Sequence, residues 1–142
     1  KDYALDYNKN NVIELKKTED SFASAANYLK TIGWKKNQPC YFKIVLKGNI
    51  PKKYLNSSAR NIKNKKKISF FKKFIENPEN LNVKNNLNAA IIIPDKDIIP
   101  GAETLSPAYI VFDNYEKILN WNRSLRFALA VCTLKDNFKN EI

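Results

Sequence analysis

The sequence predicts an α+β fold, and three changes of pattern carry that prediction. Near the start, Phe22, Ala25, Ala26 and Leu29 recur at i, i+3, i+4 and i+7, one apolar face of a helix. Between Pro39 and Pro107 the period falls to two, the spacing of half-buried strands. From Asn114 onward helical spacing returns. The order is helix, strand-rich middle, helix: a β-rich insert between helices of one helical domain. The segments expected are 1–38, the insert at 39–113, and the closing helices at 114–142.

Each element has a local reason. Asp6–Leu15 reads as a polar loop. A helix over Glu19–Ile32 follows, with Thr18 as N-cap, Glu19 and Asp20 in the first turn and Gly33 as the stop. Cys40, Phe42, Ile44 and Leu46 alternate with Tyr41, Lys43, Val45 and Lys47, which predicts a strand. Pro51 opens a helical turn through Leu55, and Asn56–Lys67 reads as a solvated basic loop. Ile68–Glu76 predicts a short helix stopped by Asn77-Pro78. Strands are expected at Asn88–Ile93 and Ala108–Phe112, joined by a loop holding Pro94, Pro100, Gly101 and Pro107. The closing helical stretch breaks near Trp121-Asn122. Beyond the break Leu125, Ala128, Leu129 and Cys132 share a face that Val131, Leu134 and Phe138 widen.

Composition narrows the function. The chain has 142 residues, 44% of them hydrophobic, so it can bury a core. The apolar run at Ala89–Ile93 ends at Pro94, far short of the ~20 residues of a membrane span. With no histidine, a Ser-His-Asp or Cys-His triad within this chain is excluded. Cys40 and Cys132 sit on apolar faces, and their spacing does not say whether they pair. No methionine occurs and the first residue is Lys1, so the chain is expected to be a piece whose N-terminal part has been removed. The net charge is +11 and comes mostly from lysine, which favours a polyanionic partner. A shared enrichment in lysine, asparagine and isoleucine, as in an AT-rich genome, weakens that inference.

Three constellations could carry chemistry. Asp6, Asn8 and Asn10 occupy positions 1, 3 and 5 of an EF-hand-like loop, with the Val12 carbonyl at position 7. Asn11 stands where glycine is usual, and Lys17 replaces the closing glutamate. Asp20 could reach back as a further carboxylate, making a weak, structural calcium site. The alternative is an asparagine-rich turn in an asparagine-rich chain. A second feature is Lys63, Lys65, Lys66, Lys67, Lys72 and Lys73 interleaved with Phe70, Phe71 and Phe74. Lysines tracking phosphates beside stacking rings would suit nucleic acid. The abundance of lysine elsewhere favours rings on a buried helix face and ammonium groups in water. The third is Trp121-Asn122-Arg123-Ser124. A ring beside an amide at a helix break suits a sugar face and its hydroxyls. Equally, Ser124 or Asn122 could cap a helix, with Trp121 in the core.

Taken together, these residues resemble the lytic murein transglycosylase B family. The resemblance is carried by Asp6–Asp20, Ser24–Leu29 and Gly33-Trp34, then by Phe112–Tyr115, Ile118-Leu119, Trp121–Ser124 and Phe127–Val131. It implies part of a lysozyme-like helical core with an EF-hand-like calcium loop and an inserted small antiparallel β domain. It also implies a periplasmic bacterial enzyme, often lipid-anchored, that cleaves peptidoglycan between N-acetylmuramic acid and N-acetylglucosamine and leaves a 1,6-anhydro sugar. One glutamic acid serves there as acid and then base. By that resemblance Asp6, Asn8, Asn10, Val12 and Asp20 would hold calcium, while Tyr28, Trp121, Asn122 and Phe127 would line the glycan groove. Trp121 and Phe127 keep the ring of the family's tyrosines without its hydroxyl.

The family's catalytic glutamate lies in a Glu-Ser motif before the calcium loop, and none of the seven glutamates here is followed by serine. The expectation is a C-terminal part that supplies groove wall and calcium loop, partnered by a missing N-terminal catalytic half and inactive alone. A non-catalytic peptidoglycan-binding protein is the alternative. A basic nucleic-acid-binding module is disfavoured by the scarcity of arginine and the placement of the aromatics on apolar faces.

Overall fold

The computed structural model describes residues 3–14, 16–96 and 105–138. They divide into two compact units, Lys1–Asn37 and Gln38–Ile142. In the first unit α1 spans Thr18–Thr31. Thr18 is its first helical residue rather than its cap; Lys17 holds the N-cap position without a side-chain bond. The predicted stop holds. Gly33 takes φ 93°, a left-handed conformation that costs a residue without Cβ little. There the Trp34 N–H donates to the Leu29 carbonyl at 3.0 Å and the Gly33 N–H to that of Lys30 at 3.2 Å, a Schellman closure. The predicted apolar face is thinly covered: Ala25 and Leu29 are half-buried and Ala26 exposed. The side chain of Phe22 lies outside the described set.

The second unit holds the core. β1 (Tyr41–Ile44), β2 (Leu55–Asn56), β3 (Lys66–Lys67), β4 (Asn88–Ile92) and β5 (Ala108–Val111) build a sheet in the order β1-β5-β4-β2, with β3 also on β4. The sheet is mixed, where an antiparallel one was expected. β1 on β5, β5 on β4 and β3 on β4 run antiparallel, but β2 runs parallel to β4. The two-residue β2 leaves a 3-10 turn at Lys52–Tyr54, and the chain needs the long basic segment 57–65 before it can return as β3 on β4.

Burial follows the alternation read for β1. Cys40, Ile44 and Leu46 are buried while Lys43, Val45 and Lys47 are exposed. Beyond β1 the Leu46–Ile75 bridge continues the pairing, fixed by Lys47 N–H to Phe74 O at 2.8 Å. α2 (Ile68–Phe71) runs on into a 3-10 turn at Lys72–Phe74, and Asn77 at φ 50° turns the chain away before Pro78. Phe71 and Phe74 join Ile44, Tyr54, Ile68, Ile91 and Ile110 in the core, so these two rings are core residues and not stacking platforms. Phe70 packs half-buried at its edge.

α3 (Asp113–Trp121) and α4 (Leu125–Phe138) follow β5, broken at 122–124 as expected. Leu125, Ala128, Leu129 and Cys132 are all buried. Leu134 instead is 55% exposed, so the face is narrower than predicted. The side chain of Phe138 lies outside the described set, as do Pro100 and Gly101. Cys40 and Cys132 are joined in a disulfide, with Cα atoms 5.9 Å apart. It ties the start of β1 to α4 across 92 residues, a constraint on the order of 4–5 kcal/mol in the chain-entropy account.

Candidate functional site

The N-terminal loop is built from its own side chains. The Asp6 carboxylate accepts the N–H of Asn11 at 2.7 Å and of Asn10 at 3.3 Å. Asn8 Oδ1 accepts from Asn10 N–H at 3.1 Å, and Asn10 Oδ1 from Val12 N–H at 2.8 Å. Lys9 and Asn11 are left-handed, at φ 57° and 69°. Asn11 thus does the work of the usual glycine, because asparagine tolerates that region better than other L residues. Asp20, on the first turn of α1, closes the loop from both sides. It takes the Tyr7 N–H at 3.0 Å on one oxygen and the Glu14 N–H at 2.8 Å on the other. Both donors favour the charged form, so Asp20 is held below the usual aspartate range.

The side chains of Asp6, Asn8, Asn10 and Asp20 are thus all bonded to this loop's backbone, and with the Val12 carbonyl the expected donors are hard oxygens: two carboxylates, two amide carbonyls and one backbone carbonyl. That set suits calcium and not a thiophilic metal. Glu14, at position 9, was not singled out in the sequence. Its carboxylate is paired with the Lys17 ammonium at 2.5 Å, which holds it below its ordinary pKa. Among the described residues no group of three His, Cys, Asp or Glu side chains forms a metal site, so amide and carbonyl oxygens would have to complete one.

The second cluster lies at the α3–α4 break. Asn122 ends α3, its N–H on the Ile118 carbonyl at 3.0 Å, and then leaves in an extended conformation. Ser124 caps α4, taking the Phe127 N–H on Oγ at 3.2 Å. Capping does not put Trp121 in the core. The indole is 51% exposed and meets Phe127 edge-on, with ring centroids 5.8 Å apart at 80°. Asn122, next in the chain, is also exposed. Trp121 and Phe127 therefore meet on one exposed edge, with Asn122 adjoining it in sequence. Tyr28 belongs to the other unit, where it is half-buried against Tyr3 at 5.1 Å.

At the start of α4 stand two polar anchors the sequence did not reveal. Arg126 makes a bidentate pair with the buried Asp95, its Nε donating to Oδ1 at 2.8 Å, which raises the guanidinium's pKa further. Tyr115 is fully buried, with its hydroxyl donating to the Leu125 carbonyl at 2.8 Å. Burial pushes its phenol above the usual range. Together these groups fix the first turn of α4, and hence Phe127 against Trp121. An open hollow between Val45, Glu76, Asn77 and Asn80 contains none of the predicted site residues.

Residues 1–136 match the transglycosylase SLT domain family. The chain belongs to that family. No curated protein matches it. Among solved structures it is similar to SltB3 from Pseudomonas aeruginosa in complex with NAG-anhNAM-pentapeptide. The identity is 28% and the TM-score 0.72, covering 97% of this chain and 35% of that one. Slt35 from Escherichia coli in complex with calcium shares the fold at 22% identity and TM-score 0.61, over 94% of this chain and 38% of that one. SltB1 from P. aeruginosa, a soluble lytic transglycosylase, shares it at 15% identity and TM-score 0.68, over 94% and 41%. The chain spans 35–41% of the length of these relatives. The α+β, lysozyme-like expectation is met, and among the described residues no helix is long and apolar enough to cross a membrane.

Proposed function

We propose that this chain is the C-terminal part of a peptidoglycan lytic transglycosylase and forms one wall of its glycan groove. The observation that carries the reading is the exposed Trp121–Phe127 edge beside Asn122 in a chain of the transglycosylase SLT domain family. Rings of this kind stack on the apolar face of a pyranose, and an amide bonds its hydroxyl or acetamido groups in both directions. Tyr28, within the first unit, is proposed as a glycan contact in its own right. A relative solved with an anhydro-muramoyl product supports peptidoglycan as the polymer and a 1,6-anhydro sugar as the product. The site of action in this reading is the bacterial periplasm.

The loop of Asp6, Asn8, Asn10, Val12 and Asp20 holds calcium weakly in this reading. Bound there, the ion would cross-link the loop to α1 as a structural brace and take no part in bond cleavage. The acid that protonates the leaving oxygen is supplied by the N-terminal half of the parent, since no glutamate here stands in the Glu-Ser context. Purified chain incubated with sacculi is expected to release no anhydro-muropeptides by mass spectrometry. Their appearance would place a catalytic acid in this chain and overturn the division of labour. A glycan-binding protein without catalysis gives the same null product profile, and the mass of the protein in its source cells separates the two.

A further inference from the structure

The net charge is not spread over the chain. Residues 52–75 hold nine of its 25 basic side chains and none of its 14 acidic ones, leaving 16 against 14 everywhere else. A uniform compositional bias would not concentrate charge in this way. The fold gathers part of that segment into one cluster. Tyr54 and Phe70 touch at 5.2 Å, and Phe70 and Phe74 at 5.8 Å. Over these rings sit the ammonium groups of Lys53 (5.1 Å from Tyr54), Lys66 (5.8 Å from Phe70) and Lys73 (4.4 Å from Phe70). Lys52, Lys63 and Lys67 are exposed in the same segment. Lys65 is paired with Glu116, and Lys72 donates to Asn85 Oδ1.

We propose that this lysine face of the β-rich unit docks on an anionic phospholipid bilayer. Like charges are drawn together without acidic neighbours in the segment, so an external layer of negative charge relieves their repulsion. Eight lysines against one arginine suit that partner: ammonium groups are hydrated point charges that answer diffuse surface potential, not a bidentate acceptor. Nucleic acid fits less well. Phe71 and Phe74 are buried and the Phe70 ring is covered by the chain's own ammonium groups, so no free ring is offered to a base. α2 has four residues, too few to read a major groove. This inference stands independently of the transglycosylase reading.

The test is sedimentation of the full chain with vesicles of phosphatidylcholine alone or mixed with phosphatidylglycerol, at rising salt. Binding to the mixed vesicles alone is expected, weakening as salt rises. Lys53→Ala/Lys66→Ala/Lys73→Ala should weaken it by on the order of a hundredfold. Lys35→Ala/Lys36→Ala/Lys117→Ala, equal in charge change, should weaken it far less. If loss of the ring contacts unsettles the fold, Lys52→Glu/Lys67→Glu set against Lys35→Glu/Lys117→Glu supplies the same charge-matched comparison. No binding to anionic vesicles, or equal loss in both triple variants, would overturn the proposal. So would a single-stranded oligonucleotide that displaces the vesicles at lower phosphate concentration, which would give the face to nucleic acid.

Discussion

Asn56 shows how one buried amide organises a long polar segment. Its Nδ2 donates to the carbonyls of Ile91 at 3.0 Å and Lys63 at 3.1 Å, and its Oδ1 accepts the Lys63 N–H at 2.8 Å. The basic segment is therefore pinned to β4 at its middle. Asn56→Ala leaves the buried Ile91 carbonyl and the part-buried Lys63 backbone groups without these bonds, so a loss of about 2 kcal/mol is expected in urea unfolding. Asp20 makes a pH prediction. Its pKa is lowered by two N–H donors, so its contribution to stability is complete above the ordinary aspartate value of about 3.9 and disappears as pH falls through the lower folded value. Melting of the chain should worsen below about pH 4, and Asp20→Asn should flatten that limb. Neither residue's partners could be read from sequence. Those of Asn56 lie 7 and 35 positions away, and no periodicity marks them. The ring–amide–serine run at the helix break was legible because all of its geometry is local.

Among the elements, α1, β1, β4, β5, α3 and α4 follow from spacing, since each is long enough to show a period or carries its own stop signal. β2 and β3 have two residues each, too short for alternation to register. Their existence, and the parallel pairing of β2, depend on Asn56 and on partners far along the chain. The disulfide was likewise beyond reach: burial of both cysteines was legible, their meeting across 92 residues was not. Because it fastens α4 to β1, Cys40→Ser/Cys132→Ser should cost about 2–5 kcal/mol and lower the melting temperature. The start of α4 is fixed by smaller devices. Tyr115→Phe removes the bond to the Leu125 carbonyl and should cost about 1–2 kcal/mol in the same assay. Part of that cost should reappear as weaker glycan binding, because the first turn of α4 carries Phe127.

For the whole molecule, two faces of the second unit have different chemistry. The α3–α4 edge offers rings and an amide, and the glycan stacking proposed for it would depend little on salt. The lysine face acts by charge and fades as salt rises. The two activities should therefore separate in one salt titration. Calcium concerns the first unit: if its loop holds the ion, calcium should raise the melting temperature and a chelator should reverse the gain. The most direct measurement is retention of the chain on purified sacculi in about 0.5 M salt, where the Debye length of roughly 4 Å screens surface charge. The glycan-wall account predicts that binding persists there and falls at least tenfold in Trp121→Ala, with unchanged melting. Binding that vanishes with salt, or that Trp121→Ala leaves untouched, would contradict it.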